Sequence, residues 1–167
     1  MTAPIIVAAW LAAEDQAWLD KLRAEHFPPE RNQLAAHLTM FHHLPPSAEG
    51  ELKQRLAEEA RAPTPEASLS ELMSLGRGVA LRIRSPGLEA VRARLRDGFA
   101  GLLTPQDAGG WRPHVTIQNK VTPKKANETL ALLRPGFRPR PLRIKGLAAY
   151  WYRGGPWESL ARYAFRG

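Results

Sequence analysis

The feature that most constrains this chain is a short pattern, His-x-Thr, that occurs twice in segments with strand character. The first copy is His37 and Thr39, and the second, late in the chain, is His114 and Thr116. Side chains on a strand alternate between two faces, so the histidine and the threonine of each copy share one face. An imidazole and a hydroxyl on one face of a strand are better suited to binding an anion than to packing in a hydrophobic core. The sequence therefore predicts two strands that each present an anion-binding face.

The alternation of side chains places further residues on the same face as each histidine. Residues 111–121 are rich in β-branched side chains and have a proline near each end, which is typical of a strand. On this strand Gln118 and Lys120 fall on the face of the histidine, and on the first strand Phe41 does so. We therefore expect Gln118 and Lys120 to contact substrate and Phe41 to stack on a base, although strand aromatics are more often core.

The remaining pattern alternates between helical and strand spacing. The predicted strands are 4–11, 36–44, 67–75, 79–84, 111–121, 142–151 and 157–165, and the predicted helices are 12–27, 47–60, 86–103 and 122–134. Each half of the chain then has the order β-α-β-α-β-β, with its His-x-Thr on the second strand. This order predicts an α+β fold of two pseudo-symmetric lobes, with antiparallel sheets and outer helices around a central cleft. His37 is expected opposite His114.

Composition narrows the class of protein. A length of 167 residues suits one bilobal domain over 1–167, and a net charge of +8 favours a phosphorylated or polyanionic partner. The absence of cysteine excludes disulfides, thiolate nucleophiles and Cys-ligated metals. The apolar start, residues 4–13, fits a first strand better than a signal peptide, and no segment approaches the roughly 20 apolar residues of a membrane span. We expect a cytoplasmic monomer.

Two histidines and two threonines suit phosphodiester cleavage. Histidine takes or gives a proton near neutral pH, so one imidazole can serve the attacking oxygen and the other the leaving oxygen. Threonine hydroxyls can donate to the non-bridging oxygens. A metal site built on His37 and His43 lacks a third ligand, so neither metal nor cofactor is predicted.

The segments His37-Leu38-Thr39-Met40 and His114-Val115-Thr116-Ile117 resemble the H-x-T-x signature of the 2H phosphoesterase superfamily, in its bacterial 2′-5′ RNA ligase-like branch. The similarity covers most of the chain, including the closing hairpin around residues 153–157. It implies a bilobal fold with both histidines in a central cleft. It also implies activity on 2′,3′-cyclic phosphates of nucleotides or RNA ends, usually opening to a 2′-phosphate, with RNA joining in some members.

One departure concerns the phosphate site. Many relatives place an arginine shortly after the second motif, where this chain has Gln118, Asn119 and Lys120. Lys120 is the candidate for that role, but a lysine lacks the bidentate fork of an arginine.

Several alternatives stay open at the level of sequence. The same groove fits 2′-5′ RNA ligation, or RNA binding without chemistry. Which histidine is acid and which is base is not fixed, and we favour His114 as the group that activates water and His37 as the acid. Base stacking is also open to aromatics of the last hairpin, namely Tyr150, Tyr152 and Trp157.

Overall fold

The computed structural model describes residues 3–167 as eight strands and five α-helices. The strands are β1 (Ile5–Leu11), β2 (Leu38–Leu44), β3 (Ser68–Ser74), β4 (Val79–Arg84), β5 (His114–Gln118), β6 (Arg140–Pro141), β7 (Ile144–Trp151) and β8 (Glu158–Ala164). The helices are α1 (Ala13–His26), α2 (Glu49–Glu59), α3 (Pro86–Gly98), α4 (Pro105–Ala108) and α5 (Pro123–Leu133).

The strands form two antiparallel sheets of four, in the orders β2-β1-β7-β8 and β5-β4-β3-β6. The β1-α1-β2 unit of one sheet has its counterpart in the β4-α3-β5 unit of the other, and both motif strands, β2 and β5, are edge strands. The predicted α+β architecture with two pseudo-symmetric lobes is confirmed. The lobes do not follow the halves of the chain, however, because the C-terminal hairpin β7–β8 returns to pair with β1.

The helix starts follow from local hydrogen bonding. Ser85 and Thr122 are both N-caps whose side-chain oxygens accept from the backbone N–H three residues on, and each is followed by proline at the first helical position. The helix predicted over 47–60 would be capped by Ser47, but this cap is wrong, since a short 3-10 turn intervenes and α2 starts at Glu49 without a side-chain cap.

Both sheets pack onto one connected hydrophobic core, to which Val7 and Leu147 contribute from the first sheet and Leu81 and Val115 from the second. A helix of each lobe also packs on the motif strand of the other lobe: α1 packs on β5, and α4 packs on β2. The two edge strands that carry the motifs are in contact with each other as well. The fold thereby holds β2 and β5 side by side. No helix within 3–167 is long and apolar enough to cross a membrane.

Candidate active site

Both motif strands carry the same irregularity directly after the threonine. In β2, Ala8 pairs with Thr39 but Val7 pairs with Phe41, so Met40 is an extra residue. In β5, Ala80 pairs with Thr116 but Val79 pairs with Gln118, which leaves one extra residue again. A β-bulge of this kind bends the strand and reverses the side-chain alternation beyond it. The two strands are therefore bulged at equivalent positions.

The two histidines are held by equivalent hydrogen bonds. The Nδ1 of His37 lies 2.8 Å from the carbonyl oxygen of Ala35, and the Nδ1 of His114 lies 2.8 Å from that of Arg112. A carbonyl only accepts, so each Nδ1 carries the proton and donates it. In the neutral imidazole this leaves Nε2 unprotonated and free to accept, and in the imidazolium Nε2 is free to donate. Both rings are thus fixed in the tautomer that acid–base chemistry at Nε2 requires.

The environment of His37 disfavours its charged form. Burial lowers the pKa of His37 below 6.5, and the nearby positive charges of Arg23, His42 and His114 lower it further, against the opposing hydrogen bond to Ala35. The influence of His114 fits the contact between β2 and β5. His37 is consequently neutral near pH 7.

Side chains from the opposite lobe occupy the open edges of the motif strands. The Nη1 of Arg23, in α1, donates to the Thr116 carbonyl at 3.2 Å, and the Nε1 of Trp111 donates to the Thr39 carbonyl at 3.0 Å. The Nε of Arg92, in α3, donates at 3.1 Å to the carbonyl of the bulge residue Met40. Edge-strand carbonyls that would otherwise be unpaired are satisfied in this way, and the lobes are tied together at the motifs.

Asp107 anchors the far end of β2. Its buried carboxylate accepts from the backbone N–H groups of His42 and His43 at 2.9 Å and from the Nδ1 of His42 at 3.1 Å. Burial alone would raise the pKa of Asp107, but these hydrogen bonds lower it below its ordinary value. The carboxylate therefore stays ionised and holds the strand end in place.

A cavity of about 490 Å³ lies beside His37, within the range typical of small-molecule sites. Its walls include Trp157, whose ring centroid is 4.5 Å from that of His37, and Tyr150, 5.4 Å from Trp157. Residues of β1, among them Ala8 and Trp10, also line it. The cavity therefore places an aromatic surface next to one of the two imidazoles.

Comparison with known proteins decides the family. A profile of the 2′-5′ RNA ligase superfamily matches residues 11–156, most of the chain, and this span contains both His-x-Thr copies. The chain belongs to the 2′-5′ RNA ligase (2H phosphoesterase) superfamily.

Solved structures of similar fold agree with this superfamily. Escherichia coli LigT complexed with 3′-AMP is 20% identical over 100% of both chains, with a TM-score of 0.66. LigT complexed with NADP+ is 24% identical over 99% of both, with a TM-score of 0.64. A protein of Thermus thermophilus is 18% identical over 98% of both, with a TM-score of 0.68. These likenesses establish a shared fold, while comparison with curated protein sequences gives no match.

In this member of the superfamily the structure brings together only part of the predicted site. Thr39, His114 and Thr116 are half-buried on the adjoining edge strands, and His37, also half-buried, directly precedes β2. The structure thus places all four on or next to two strands that contact each other, and their meeting over one phosphate stays a prediction.

Phe41 and Gln118 do not join them, because the bulges turn both side chains inward. Phe41 is fully buried beneath the guanidinium of Arg92, 4.5 Å from its ring, and cannot stack on a base. Gln118 is also fully buried and donates to Thr129 Oγ1 at 2.8 Å, so the predicted substrate contact is wrong.

Lys120 is exposed but lies beyond the other end of β5, in a left-handed conformation with φ of 63°. At about 3.3 Å per residue, six residues separate its backbone from that of His114 by up to about 20 Å. Its position offers no support for a contact with a phosphate held between the histidines. Within 3–167, no three His, Asp or Glu side chains are grouped as they would be to hold a metal ion.

Sequence reasoning missed Arg23, Arg92 and Asp107. A usable signal existed for the arginines: Leu19 and Arg23, like Leu88 and Arg92, are spaced by four and so fall on one helix face. An arginine within an apolar stripe indicates a buried, bonded cation. Asp107 gave no such signal, because a four-residue helix inside a loop has no periodicity.

Proposed function

We propose that this protein is a metal-independent phosphodiesterase that opens 2′,3′-cyclic phosphates of nucleotides or RNA ends to 2′-phosphates. The observation that carries the proposal is the matched pair of Nδ1 hydrogen bonds, which frees the Nε2 atoms of His37 and His114 on adjoining strands. Two such groups can serve the attacking and leaving oxygens of one phosphorus in an in-line displacement.

The lowered pKa of His37 favours it as the general base. In this assignment His37 Nε2 takes a proton from water as the water oxygen bonds to phosphorus. The P–O3′ bond breaks, and His114 Nε2 gives its proton to the 3′-oxygen, leaving a 2′-phosphate. This assignment reverses the one favoured from sequence, which had no information on burial.

Thr39 and Thr116 are proposed to donate to the non-bridging oxygens. Each lies two residues after its histidine and ahead of the bulge, so it keeps the face of the histidine. Hydroxyl donors aimed at these oxygens stabilise the charge that grows in the transition state.

Charge and the ligands of structural neighbours support a phosphate substrate. The net charge of +8 attracts anions. LigT has been crystallised with 3′-AMP and with phosphate. We propose RNA ends or small cyclic-phosphate nucleotides as substrates for a cytoplasmic monomer without a cofactor. Ligation of 2′-5′ RNA ends is the second candidate, because joining is the reverse of opening such a linkage at the same site.

The test combines three substrates with chelator present. Purified protein in EDTA is given nucleoside 2′,3′-cyclic phosphates, cyclic-ended RNA, and cyclic-ended RNA together with a 5′-hydroxyl acceptor, and ³¹P NMR identifies the products. The proposal expects 2′-phosphates and no 3′-phosphates. Preferential formation of 2′-5′ linkages would favour the ligase, and salt-sensitive RNA binding with no turnover would favour a non-catalytic RNA-binding module.

A further inference from the structure

Two cations lie near the ring of Trp10 in the cavity beside His37. The Nζ of Lys145 is 4.7 Å from the ring centroid, and the guanidinium carbon of Arg162 is 5.0 Å from it. All three side chains line the cavity, and within 3–167 neither cation has a carboxylate within 4.0 Å. The cavity therefore has an imidazole among its lining residues and also two positive charges without an ionic partner.

The register of the first sheet places these charges relative to the motif. Thr39 pairs with Ala8, Ala8 with Ala148, and Ala148 with Arg162, so the four residues form one row on one face. With neighbouring strands about 4.8 Å apart, the backbones of Thr39 and Arg162 are separated by about 14 Å. The two alanines between them are small and buried, so neither projects above this face. The guanidinium of Arg162 reaches the ring of Trp10, on the strand next to β2, so its charge extends toward the threonine end of the row.

We propose that Lys145, Arg162 and Trp10 form a second phosphate subsite, which binds the 5′-phosphate of the nucleoside whose 2′,3′-cyclic phosphate is at the histidines. The inference rests on the proposed function and extends it to substrate class. A nucleoside carries its cyclic phosphate on one edge of the ribose and its 5′-oxygen on the other. With one phosphate at the histidines, the other would meet the extended side chains of Arg162 and Lys145 at Trp10. The 5′-phosphate is a monoester in a nucleotide and a diester in an RNA chain.

The aromatic ring gives the subsite its shape. Cation–π contact with Trp10 restrains both side chains without using their N–H donors, which stay available for phosphate oxygens. The planar guanidinium of Arg162 can bind two oxygens at once, whereas Lys145 contributes a point charge.

A neighbouring groove favours an RNA chain as the source of that phosphate. Lys145 also lines this groove, which has a volume of about 1,050 Å³. The charged residues that line it are Glu66, Arg84, Arg140, Arg143 and Lys145. Four of these five side chains are positive, of which Arg140 is paired with Asp15 at 3.6 Å. Further positive charge thus adjoins the subsite at Lys145, as a strand of successive phosphates would require.

The test compares three substrates that share one nucleoside 2′,3′-cyclic phosphate: one with a free 5′-hydroxyl, one with a 5′-phosphate, and a short RNA that ends in it. In the wild type we expect the 5′-phosphate to lower KM about tenfold or more, and the RNA to lower it further. The double variant Lys145→Gln/Arg162→Gln should lose most of this advantage. Neither side chain is fully buried, so the variant should fold.

The matched control is Lys124→Gln/Lys125→Gln, which removes the same charge from exposed residues that line neither cavity. It should keep the 5′-phosphate advantage. An advantage that is absent in the wild type, or that both double variants lose equally, would overturn the subsite. An equal gain from the 5′-monophosphate and the RNA would support the subsite but assign it to a single phosphate.

A binding measurement separates this inference from the proposed function. Calorimetry with a nucleoside 2′-phosphate and with the corresponding 2′,5′-bisphosphate gives the two Kd values without any turnover. A bisphosphate that binds about tenfold tighter to the wild type but not to Lys145→Gln/Arg162→Gln supports the subsite even if no cyclic phosphate is hydrolysed. Equal Kd values in the wild type refute it even if hydrolysis is observed.

Discussion

Arg23 donates a hydrogen bond from Nη1 to the carbonyl of Thr116 at 3.2 Å, across the boundary between the lobes. The same guanidinium donates from Nε to Asn32 Oδ1 at 2.8 Å, and its charge helps to lower the pKa of His37. One buried side chain of α1 therefore positions the second motif strand and favours the neutral form of the first histidine.

Replacing Arg23 tests the electrostatic part of this arrangement. In Arg23→Gln a charge that lowers the pKa of His37 is lost, so the acid limb of the kcat/KM profile should move to higher pH. Arg23→Lys keeps the charge and should leave that limb near its wild-type position. Both variants should lose about 1–3 kcal/mol in free energy of unfolding, because acceptors lose their donor. Lys21→Gln, at an exposed position of the same helix, serves as the charge control; an unmoved limb in Arg23→Gln would refute the coupling.

The pH dependence of wild-type stability should also report His37. Its pKa in the folded state is below the ordinary 6.5, so the unfolded chain binds the proton more readily. Above pH 6.5 His37 does not reduce the free energy of unfolding. As the pH falls from 6.5 to the folded-state pKa, the unfolded chain binds the proton more readily than the folded protein, so the free energy of unfolding decreases. Urea unfolding of wild type and His37→Gln across this window should show a smaller acid loss in the variant. Parallel curves would contradict the shift.

Asp107 should govern stability at lower pH. Its folded-state pKa lies below the ordinary 3.8, so its contribution is complete above that value and is lost as the pH falls through the folded-state pKa. Asp107→Ala leaves the N–H groups of His42 and His43 without an acceptor and should cost about 3 kcal/mol at pH 7. The difference from wild type, measured by urea unfolding, should shrink as the pH falls below 3.8. Asp97→Ala, on the exposed side chain next to Arg96, is the control, with an effect within about 0.5 kcal/mol.

Trp157 should contribute to substrate affinity through the cavity beside His37. If a base stacks on its ring, Trp157→Ala should raise KM for a cyclic nucleotide about tenfold, since such stacking is worth about 1–3 kcal/mol. Trp157→Phe should recover part of this loss. Tyr152 lies in the same hairpin but lines neither cavity, so Tyr152→Ala should change KM less than twofold. Equal effects of the two alanine variants would rule out a specific stacking surface.

The acid and base roles can be separated with a better leaving group. A cyclic substrate whose 3′-oxygen is replaced by sulfur needs little protonation as its P–S bond breaks. His114→Ala, slowed about 10² or more on the oxygen substrate, should recover most of its rate on the sulfur substrate, whereas His37→Ala should not. Recovery in His37→Ala alone would restore the assignment first favoured from the sequence.

Much of this architecture follows from local sequence. The two His-x-Thr strands can be predicted, and the starts of the helices predicted at 86 and 122 are correct to within one residue, because their patterns act over a few residues. The failures at Phe41 and Gln118 share one cause, since each follows a bulge that shifts side-chain parity by one residue. A bulge is set by pairing with the neighbouring strand, which strict alternation ignores.

The residues that bond to the motif strands from the opposite lobe were not predicted, for a different reason. Arg23, Arg92 and Trp111 act on carbonyls of β2 and β5 from the opposite lobe, so their partners are distant in the chain. Likewise the exchange of β7–β8 into the first sheet depends on long-range pairing with β1. Local periodicity carries no information about such pairings.

The most direct test of the account is a crystal structure with a nucleoside 2′,3′-vanadate, whose five-coordinate vanadium mimics phosphorus during displacement. We predict that Nε2 of His37 and Nε2 of His114 each lie about 2.6–3.2 Å from opposite apical oxygens of the same vanadium. A complex in which only one imidazole, or neither, reaches the vanadate oxygens would contradict the two-histidine mechanism.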